Sequence, residues 1–525
     1  MERNKKGKII RTLKTVVVYV ATQRTVVIIA LFVQLLILGF LFVGLSKYST
    51  RAVLIFQLLA AITAVYILNT HSKAEMKLGW LVPMVAFPIF MVAIYFYLSN
   101  QHSARMVRKL YADKCAATKK YLSQDEETIL ALKECDEQTY RYACYMKDYA
   151  GYPVHQGSQV TYFRSGEEKF EVLKNELEKA KHYIFIEMFI VDQGMLWDEL
   201  LAILKRKASE GVDVRFIYDG LASQSLLPFN YHKRLCQWGI QTRVFQPFVA
   251  LLSSIQNNRD HRKIVVIDGC TGFTGGDNFA DEYINRIERF GYWKDTAVMI
   301  KGEAVWNLTM MFLQMWEVVD RNGTSGGYES YQPSAHRLEK YSSDGFVLAY
   351  SDSPLDDEDV GELTYLNILG TAVNYCYIST PYLILSEEML GALKFAAKRG
   401  VDVRIIVPGI PDKWYVKLLG EYFFDELMAS GVRIYEYDGF NHAKMFVSDD
   451  EKAVVGTINL DYRSLYLHFE NACFLYRVTA IKDIKADFLD MFENHCRELT
   501  PERFAERPFY RKLGAALLKI IEPML

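Results

Sequence analysis

The chain contains one strand–helix series twice. The string GVDVR occurs at 211–215 and 400–404, inside the longer matches GVDVRFIYDG (211–220) and GVDVRIIVPG (400–409). GIQTRVF (239–245) is answered by GVRIYEY (431–437), and HRKIVVID (261–268) by HAKMFVSD (442–449). KHYIFIEMFIVD (181–192) and NYCYISTPYLIL (374–385) open the two series, each followed by a helical stretch at 196–209 and 386–399. Matched blocks lie about 180 to 190 residues apart, far beyond a solenoid period, so a domain-sized unit has been duplicated. Short β-rich strings alternating with amphipathic helices require α/β layers. The expected fold is α/β, with duplicated mixed sheets flanked by helices. The first half covers 156–340 and the second 341–525, after a charged, helix-permissive linker at 101–155.

Both halves carry H-x-K-x4-D. The first copy is His261, Lys263 and Asp268, followed by Gly275, Gly276 and Asn278; the second is His442, Lys444 and Asp449, followed by Gly456, Thr457 and Asn459. One copy would be a weak signal, but two with the same downstream offsets are specific. Residues two apart on a strand share a face, so each His and Lys project together. The residues between Lys263 and Asp268 are all apolar, which marks a deeply buried strand. A lysine there is costly unless an anion pairs with it, and phosphate fits. The glycines permit close backbone approach, and Asn278 and Asn459 add neutral donors. Asp268 and Asp449 belong to the motif, but their odd offset turns them away from the histidines and suits them to fixing the turn after the strand.

This set suits phosphoryl transfer through histidine. One imidazole attacks phosphorus to give a phosphohistidine, assigned to His261; the other, His442, protonates the leaving alkoxide and then deprotonates the incoming nucleophile. Lys263, Lys444, Asn278 and Asn459 offset charge on the non-bridging oxygens. Each imidazole needs a carboxylate on its other nitrogen to set the tautomer. Asp295 in WKD (293–295) and Glu470 in HFEN (468–471) are the candidates, with ordinary surface carboxylates as the bland alternative. Glu187 could contact a headgroup hydroxyl or be a buried structural carboxylate. The mechanism requires no metal or other cofactor, and the sequence shows no metal-ligand spacing.

Three apolar runs precede all this, at 25–45, 52–69 and 79–98, each close to the roughly 20 residues that cross a bilayer as a helix. They define an expected membrane anchor over 1–100 and a multi-pass protein of the cell membrane. A cleaved signal peptide would be shorter and followed by a small-residue site. Both flanks are basic, so three full spans would place like-charged flanks on opposite sides. Pro83 and Pro88 make the third run a candidate broken helix. The eight scattered cysteines read as free thiols, which favours the catalytic part inside the cell. A net charge of −2 and the lack of a basic run around the motifs argue against nucleic acid as partner.

On these motifs the chain resembles the phospholipase D superfamily and, within it, the bacterial cardiolipin synthases. The resemblance runs from about residue 52 to the C-terminus and includes FIEMFIVD (185–192), GGDNFADEY (275–283), YWKDT (292–296), STPYLI (379–384) and NLDYRSL (459–465). It implies two phospholipase D-like halves face to face, with one active site on the pseudo-twofold axis. It also implies joining of two phosphatidylglycerol molecules into cardiolipin with release of glycerol. The first apolar run and its basic flank are extra to that pattern. Apolar stretches at 245–255 and 414–424 and an amphipathic C-terminal helix (509–521) are candidates for lipid entry and an interfacial helix. The alternatives are a phosphodiesterase hydrolysing phospholipid or nucleic acid with water, and a non-enzymatic scaffold with a degenerate site. Because both motifs lie in one chain, catalysis does not require a dimer.

Overall fold

The computed structural model describes residues 36, 39, 50–70, 72–99, 102–246, 257–320, 327–333, 341, 345–520 and 522. The chain forms two compact units, one of residues 1–105 with 247–257, the other of 106–246 with 258–525. Both α/β halves belong to the second unit. The first apolar run and the 245–255 entry segment lie almost wholly outside the described residues.

In the first unit, the second apolar run forms α1 (Thr50–Leu68) and the third forms α2 (Ala74–Ala86) and α3 (Pro88–Ser99). The third run is broken, as its prolines suggest. Phe87 leaves the helical region (φ −134°, ψ 63°) because the ring of Pro88 disfavours α geometry in the residue before it. Lys77 donates to the Leu68 carbonyl at 3.0 Å and ties α2 to the end of α1. Ala60, Ile67, Met84, Met91, Val92 and Tyr95 pack together, while Leu54, Ile55, Leu58, Ile62 and Val65 of α1 are exposed. Among the described residues no helix is long and apolar enough to cross a membrane.

The linker segment folds into helices at His102–Thr118, Glu126–Cys135 and Glu137–Tyr145. The first α/β half supplies β1 (Ser158–Phe163), β2 (Tyr183–Met188), β3 (Asp213–Asp219), β4 (Gln241–Phe245), β5 (Arg259–Asp260), β6 (Lys263–Ile267), β7 (Thr271–Gly275), β8 (Trp293–Lys294) and β9 (Ala297–Gly302). The second supplies β10 (Phe346–Asp352), β11 (Tyr375–Ser379), β12 (Asp402–Pro408), β13 (Arg433–Tyr437), β14 (Phe440–Asn441), β15 (Met445–Ser448), β16 (Lys452–Gly456), β17 (His468–Tyr476) and β18 (Cys496–Leu499). The first sheet runs β1-β9-β7-β6-β2-β3-β4 and the second β10-β17-β16-β15-β11-β12-β13, extended by β18. Strand for strand the order is the same, as duplication requires.

The central strands β2 and β6 are buried along their whole length and pair antiparallel, with Met188 opposite Lys263. The helix α4 (Met195–Ser209) buries Leu196, Trp197, Leu200, Leu201 and Leu204 in the core on this sheet. Helix α5 (Val305–Val319) is buried from Val305 to Val318, with its polar side chains Asn307, Gln314 and Glu317 partnered inside the protein. It contacts strands of both halves. α6 (Glu387–Lys398) and α7 (Trp414–Ala429) cover the second sheet, and α8 (Phe509–Lys519) packs on α7.

Two short parallel bridges join the halves. β5 pairs with the start of β17, Arg259 opposite His468 and Asp260 opposite Phe469. β14 pairs with β8, Phe440 opposite Trp293 and Asn441 opposite Lys294. These are the same bridge twice, related by the pseudo-twofold, and each leads directly into a motif histidine.

Candidate active site

Each histidine is held at two points by the other half. The His261 N–H donates to the Phe469 carbonyl at 2.9 Å, and its Nδ1 lies 2.8 and 2.9 Å from the Glu470 carboxylate oxygens. The His442 N–H donates to the Lys294 carbonyl at 2.7 Å, and its Nδ1 lies 2.6 Å from Asp295 Oδ2. Asp295 and Glu470 are thus the imidazole partners, and the pairing is exchanged between halves. Both carboxylates are fully buried. A carboxylate on Nδ1 keeps the ring hydrogen there and leaves Nε2 with its lone pair.

The aromatic walls differ. Phe189 meets His261 edge-on at 4.6 Å, with the His468 ring 5.6 Å away. Around His442 stand Tyr283, Trp293 and Phe440 at 5.4 to 5.6 Å. Burial, reinforced by Lys263 and Lys444, pushes both motif histidines well below the usual imidazole range, so both rings are neutral at neutral pH.

The two lysines are buried, and among the described residues neither forms an ion pair within contact distance. Lys263 Nζ donates to the His261 carbonyl at 2.6 Å. Lys444 Nζ donates to the His442 carbonyl and lies 2.8 Å from His442 Nδ1. Burial pushes Lys263 down to about 7 and Lys444 to about 8, and the charge of Lys444 adds to the lowering of Lys263. Burial likewise raises Asp295 to about 6 against the opposing pull of Lys444. Two desolvated ammonium groups without a contacting carboxylate form an anion site.

Asp268 and Asp449 lie outside the chemistry. Asp268, in the left-handed region (φ 49°), accepts from the backbone N–H groups of Lys181, His182 and Tyr183, each at 2.8 Å. Asp449 (φ 53°) does the same for Val373, Asn374 and Tyr375 at 2.7 to 3.0 Å. The motif's aspartate ties the turn after the His-Lys strand to the start of its neighbour.

Three expectations need correction. Glu187 does not face a headgroup. It lies on the opposite face of β2 from the Lys263 side, fully buried, 2.5 Å from the Arg262 guanidinium, which also donates to Asp260 at 3.1 Å. The asparagines are not wholly free donors, since each spends one of its two amide hydrogens inside the protein. Asn278 accepts from the Ile190 N–H at 3.0 Å and donates to the Tyr283 hydroxyl at 2.6 Å, so it positions the ring against His442. Asn459 donates to Ser464 at 2.8 Å. The glycines serve neighbouring protein. A Cβ at Gly456 would lie 2.4 Å from the Ala472 Cβ, and one at Gly276 would lie 2.0 Å from Asp295 Oδ1. Gly276 is therefore what lets Asp295 reach His442. Thr457, its counterpart, instead donates to Glu470 Oε2.

Some site residues were not singled out by the sequence reading. His468 lies two residues before Glu470 on β17, so strand alternation puts both on one face, a signal available in HFEN. Asn471 accepts from the Lys263 N–H at 3.3 Å and donates to Thr274 at 2.7 Å, a cross-half link no sequence period encodes.

Residues 173–316 and 365–492 match the family described as "Cardiolipin synthase, PLD-like domain". The chain belongs to the cardiolipin synthase family. It is 33% identical to the cardiolipin synthase of Alkalihalophilus pseudofirmus over 90% of this chain and 93% of that protein. It is 34% identical to the cardiolipin synthase of Geobacillus kaustophilus, over 87% of this chain and 90% of the relative. A Streptococcus mutans protein, described as uncharacterized, is 45% identical over 88% of this chain and 99% of its own. Among solved structures, phosphatidylserine synthase of Haemophilus influenzae superposes with a TM-score of 0.52 at 15% identity, covering 70% of this chain and 95% of that one, a likeness of fold. Each matched segment contains one His-Lys pair and the carboxylate that serves the histidine of the other segment.

Proposed function

We propose that this chain is a phosphatidyltransferase that joins two phosphatidylglycerol molecules into cardiolipin and releases glycerol. The observation that carries the reading is the pair of neutral imidazoles, each with a buried carboxylate on Nδ1, beside two buried ammonium groups that lack a contacting carboxylate. His261 Nε2 attacks the phosphorus of the first lipid. The bond from phosphorus to the glycerol oxygen breaks, and His442, neutral in the lipid-free site, takes up a proton on Nε2 once the phosphodiester anion offsets the repulsion of Lys263 and Lys444, then hands that proton to the glycerol oxygen. His442 then takes the proton of a free hydroxyl on the second phosphatidylglycerol, whose oxygen attacks the phosphohistidine, and the P–N bond breaks. Lys263 and Lys444 hold the non-bridging oxygens throughout.

Two apolar surfaces support a lipid substrate and attachment to the cell membrane. Trp414 and Tyr422 of α7, with Phe509, Tyr510, Leu513 and Leu517 of α8, are exposed around the α7–α8 contact. Beside α7 an opening is lined by Leu383, Val407, Val416 and Phe424, with Lys413 at its polar side. The charge of Lys413 acts on both site histidines. The exposed apolar face of α1 and the apolar runs of the first 100 residues make the N-terminal unit the membrane anchor of this reading. The test is purified full-length protein in micelles of phosphatidylglycerol as sole lipid. Cardiolipin and glycerol in equal amounts are expected; phosphatidic acid and glycerol without cardiolipin would replace the transferase by a hydrolase.

A further inference from the structure

His468 is a buried imidazole that the mechanism above does not use. It is 9% exposed, and among the described residues neither ring nitrogen has a hydrogen-bond partner. At the pseudo-symmetric position stands Trp293, a donor-only ring, so the two histidine surroundings differ at this point. His468 Nδ1 faces Glu470 Oε1 at 3.7 Å, and the same oxygen is 2.9 Å from His261 Nδ1. One ligand atom from each of His261, His468 and Glu470 lies within 4.8 Å of the others. Two ligand atoms on one zinc ion stand roughly 2.9 to 3.4 Å apart at ordinary bond lengths and angles, so small shifts close this set around an ion. Glu470 could turn Oε1 to the ion while Oε2 keeps the Thr457 hydroxyl.

We infer that His261, His468 and Glu470 form an inhibitory site for a borderline transition-metal dication, of which Zn²⁺ is the type. Two imidazoles and one carboxylate select such an ion over Mg²⁺ or Ca²⁺, which prefer oxygen ligands, and three protein ligands leave a position open for water. The inhibition follows from the tautomer. A metal on His261 Nδ1 moves the ring hydrogen to Nε2, and the lone pair that attacks phosphorus is gone. No proton leaves the site, and removal of the ion restores the original tautomer. The ammonium groups of Lys263 and Lys444 oppose the dication, so it binds as a reversible inhibitor. The inhibition rests on the role given to His261 under the proposed function; the binding does not.

The experiment uses detergent-solubilised full-length protein stripped with a chelator. Zn²⁺ binding is followed by competition with a fluorescent zinc indicator, and turnover is measured in the same solutions. One ion bound, undisturbed by excess Mg²⁺, with turnover lost over the same range of free Zn²⁺, is expected. X-ray absorption at the zinc edge should show nitrogen and oxygen neighbours without sulphur, since the exposed thiols of Cys135 and Cys236 are the competing ligands. H468N should weaken binding at least about tenfold, which is about 1.4 kcal/mol, and E470Q should do likewise. Binding unchanged in both variants, or a sulphur neighbour at the metal, overturns the site. Binding that depends on His468 while turnover ignores the metal keeps the site and overturns the role of His261 as nucleophile.

Discussion

The exchanged carboxylates give a test that separates the two histidines by role. In E470Q the side chain keeps its length but offers one oxygen and one NH2. The Thr457 hydroxyl donates to Oε2, so the amide oxygen stays there, 2.8 Å from His261 Nδ1, and the NH2 takes the place of Oε1 at 2.9 Å, where it competes for the same nitrogen. An NH2 facing Nδ1 demands a lone pair on that nitrogen, so the ring hydrogen moves to Nε2 and the attacking lone pair is lost. Restoring the reactive tautomer breaks a buried hydrogen bond, and a loss of about 10³- to 10⁴-fold in kcat, about 4 to 5.5 kcal/mol, is expected. D295N does the same to His442, where the lost function is proton transfer to and from oxygen. The assay compares phosphatidylglycerol with a phosphatidyl donor carrying p-nitrophenol, a leaving group that departs without a proton. D295N should release p-nitrophenol in a burst of one equivalent at a rate within about tenfold of the parent, because only general acid help is missing. E470Q should remain slow with both donors, because the nucleophile itself is impaired. A burst from E470Q and none from D295N would reverse the assignment of His261 and His442. Less than tenfold loss in both variants with phosphatidylglycerol would refute the tautomer argument.

The remaining predictions concern the supports of the site. Gly276→Ala brings a Cβ to 2.0 Å from Asp295 Oδ1, so it should displace that carboxylate and reproduce the kinetic pattern of D295N with little change in melting temperature. Asp268→Ala removes the acceptor of three backbone N–H groups, two of them open to water, a cost of about 1 to 2 kcal/mol read by thermal unfolding, while kcat of the folded fraction is retained. Lys263 at about 7 and Lys444 at about 8 must be cationic to hold phosphate, so KM should rise as pH passes through 7 to 8, by at most about tenfold per pH unit for each lysine. Their folded-state values lie below the ordinary 10.5, so above pH 7 the unfolded chain binds more protons, and their contribution to the stability of the lipid-free enzyme should rise with pH up to that value. Replacing Trp414 and Phe509 together with serine should lower cosedimentation with anionic lipid vesicles and leave secondary structure by circular dichroism intact.

What the sequence made legible was what repeats along it. The paired GVDVR strings sit at the same place in both sheets, as β3 and β12, and the His-Lys offset of two put both side chains toward the site. The odd offset of Asp268 and Asp449 correctly turned them away. What stayed hidden depends on the contact between halves. Asp295 and Glu470 were found as candidates, but their distance along the chain points each to its own half, whereas β5–β17 and β8–β14 pairing gives each to the other. Glu187 stayed open between a headgroup contact and a structural carboxylate because the deciding partner, Arg262, sits between two motif residues and points to the other face of the sheet. Asn278 and Asn459 each give one amide hydrogen to a neighbouring hydroxyl, of Tyr283 and of Ser464, which the sequence offsets do not reveal. The broken third apolar run was readable because Pro88 acts locally.

The exchange also explains why the unit is duplicated in one chain. Neither half contains a complete imidazole with its carboxylate. His261 lacks a tautomer-setting partner until β17 docks on β5, and His442 lacks one until β8 docks on β14. The bridges that align the carboxylates also hold the histidine N–H groups, so packing of the halves and assembly of the chemistry are one event. The same packing buries both Lys263 and Lys444, and the charge of Lys444 lowers the proton affinity of Lys263. That unfavourable juxtaposition is relieved by an anion placed between them. Under the proposed function a phosphodiester would do this with its two non-bridging oxygens, presenting phosphorus to the imidazoles. The energy spent on burying two ammonium groups is thereby returned only when the reacting group is bound.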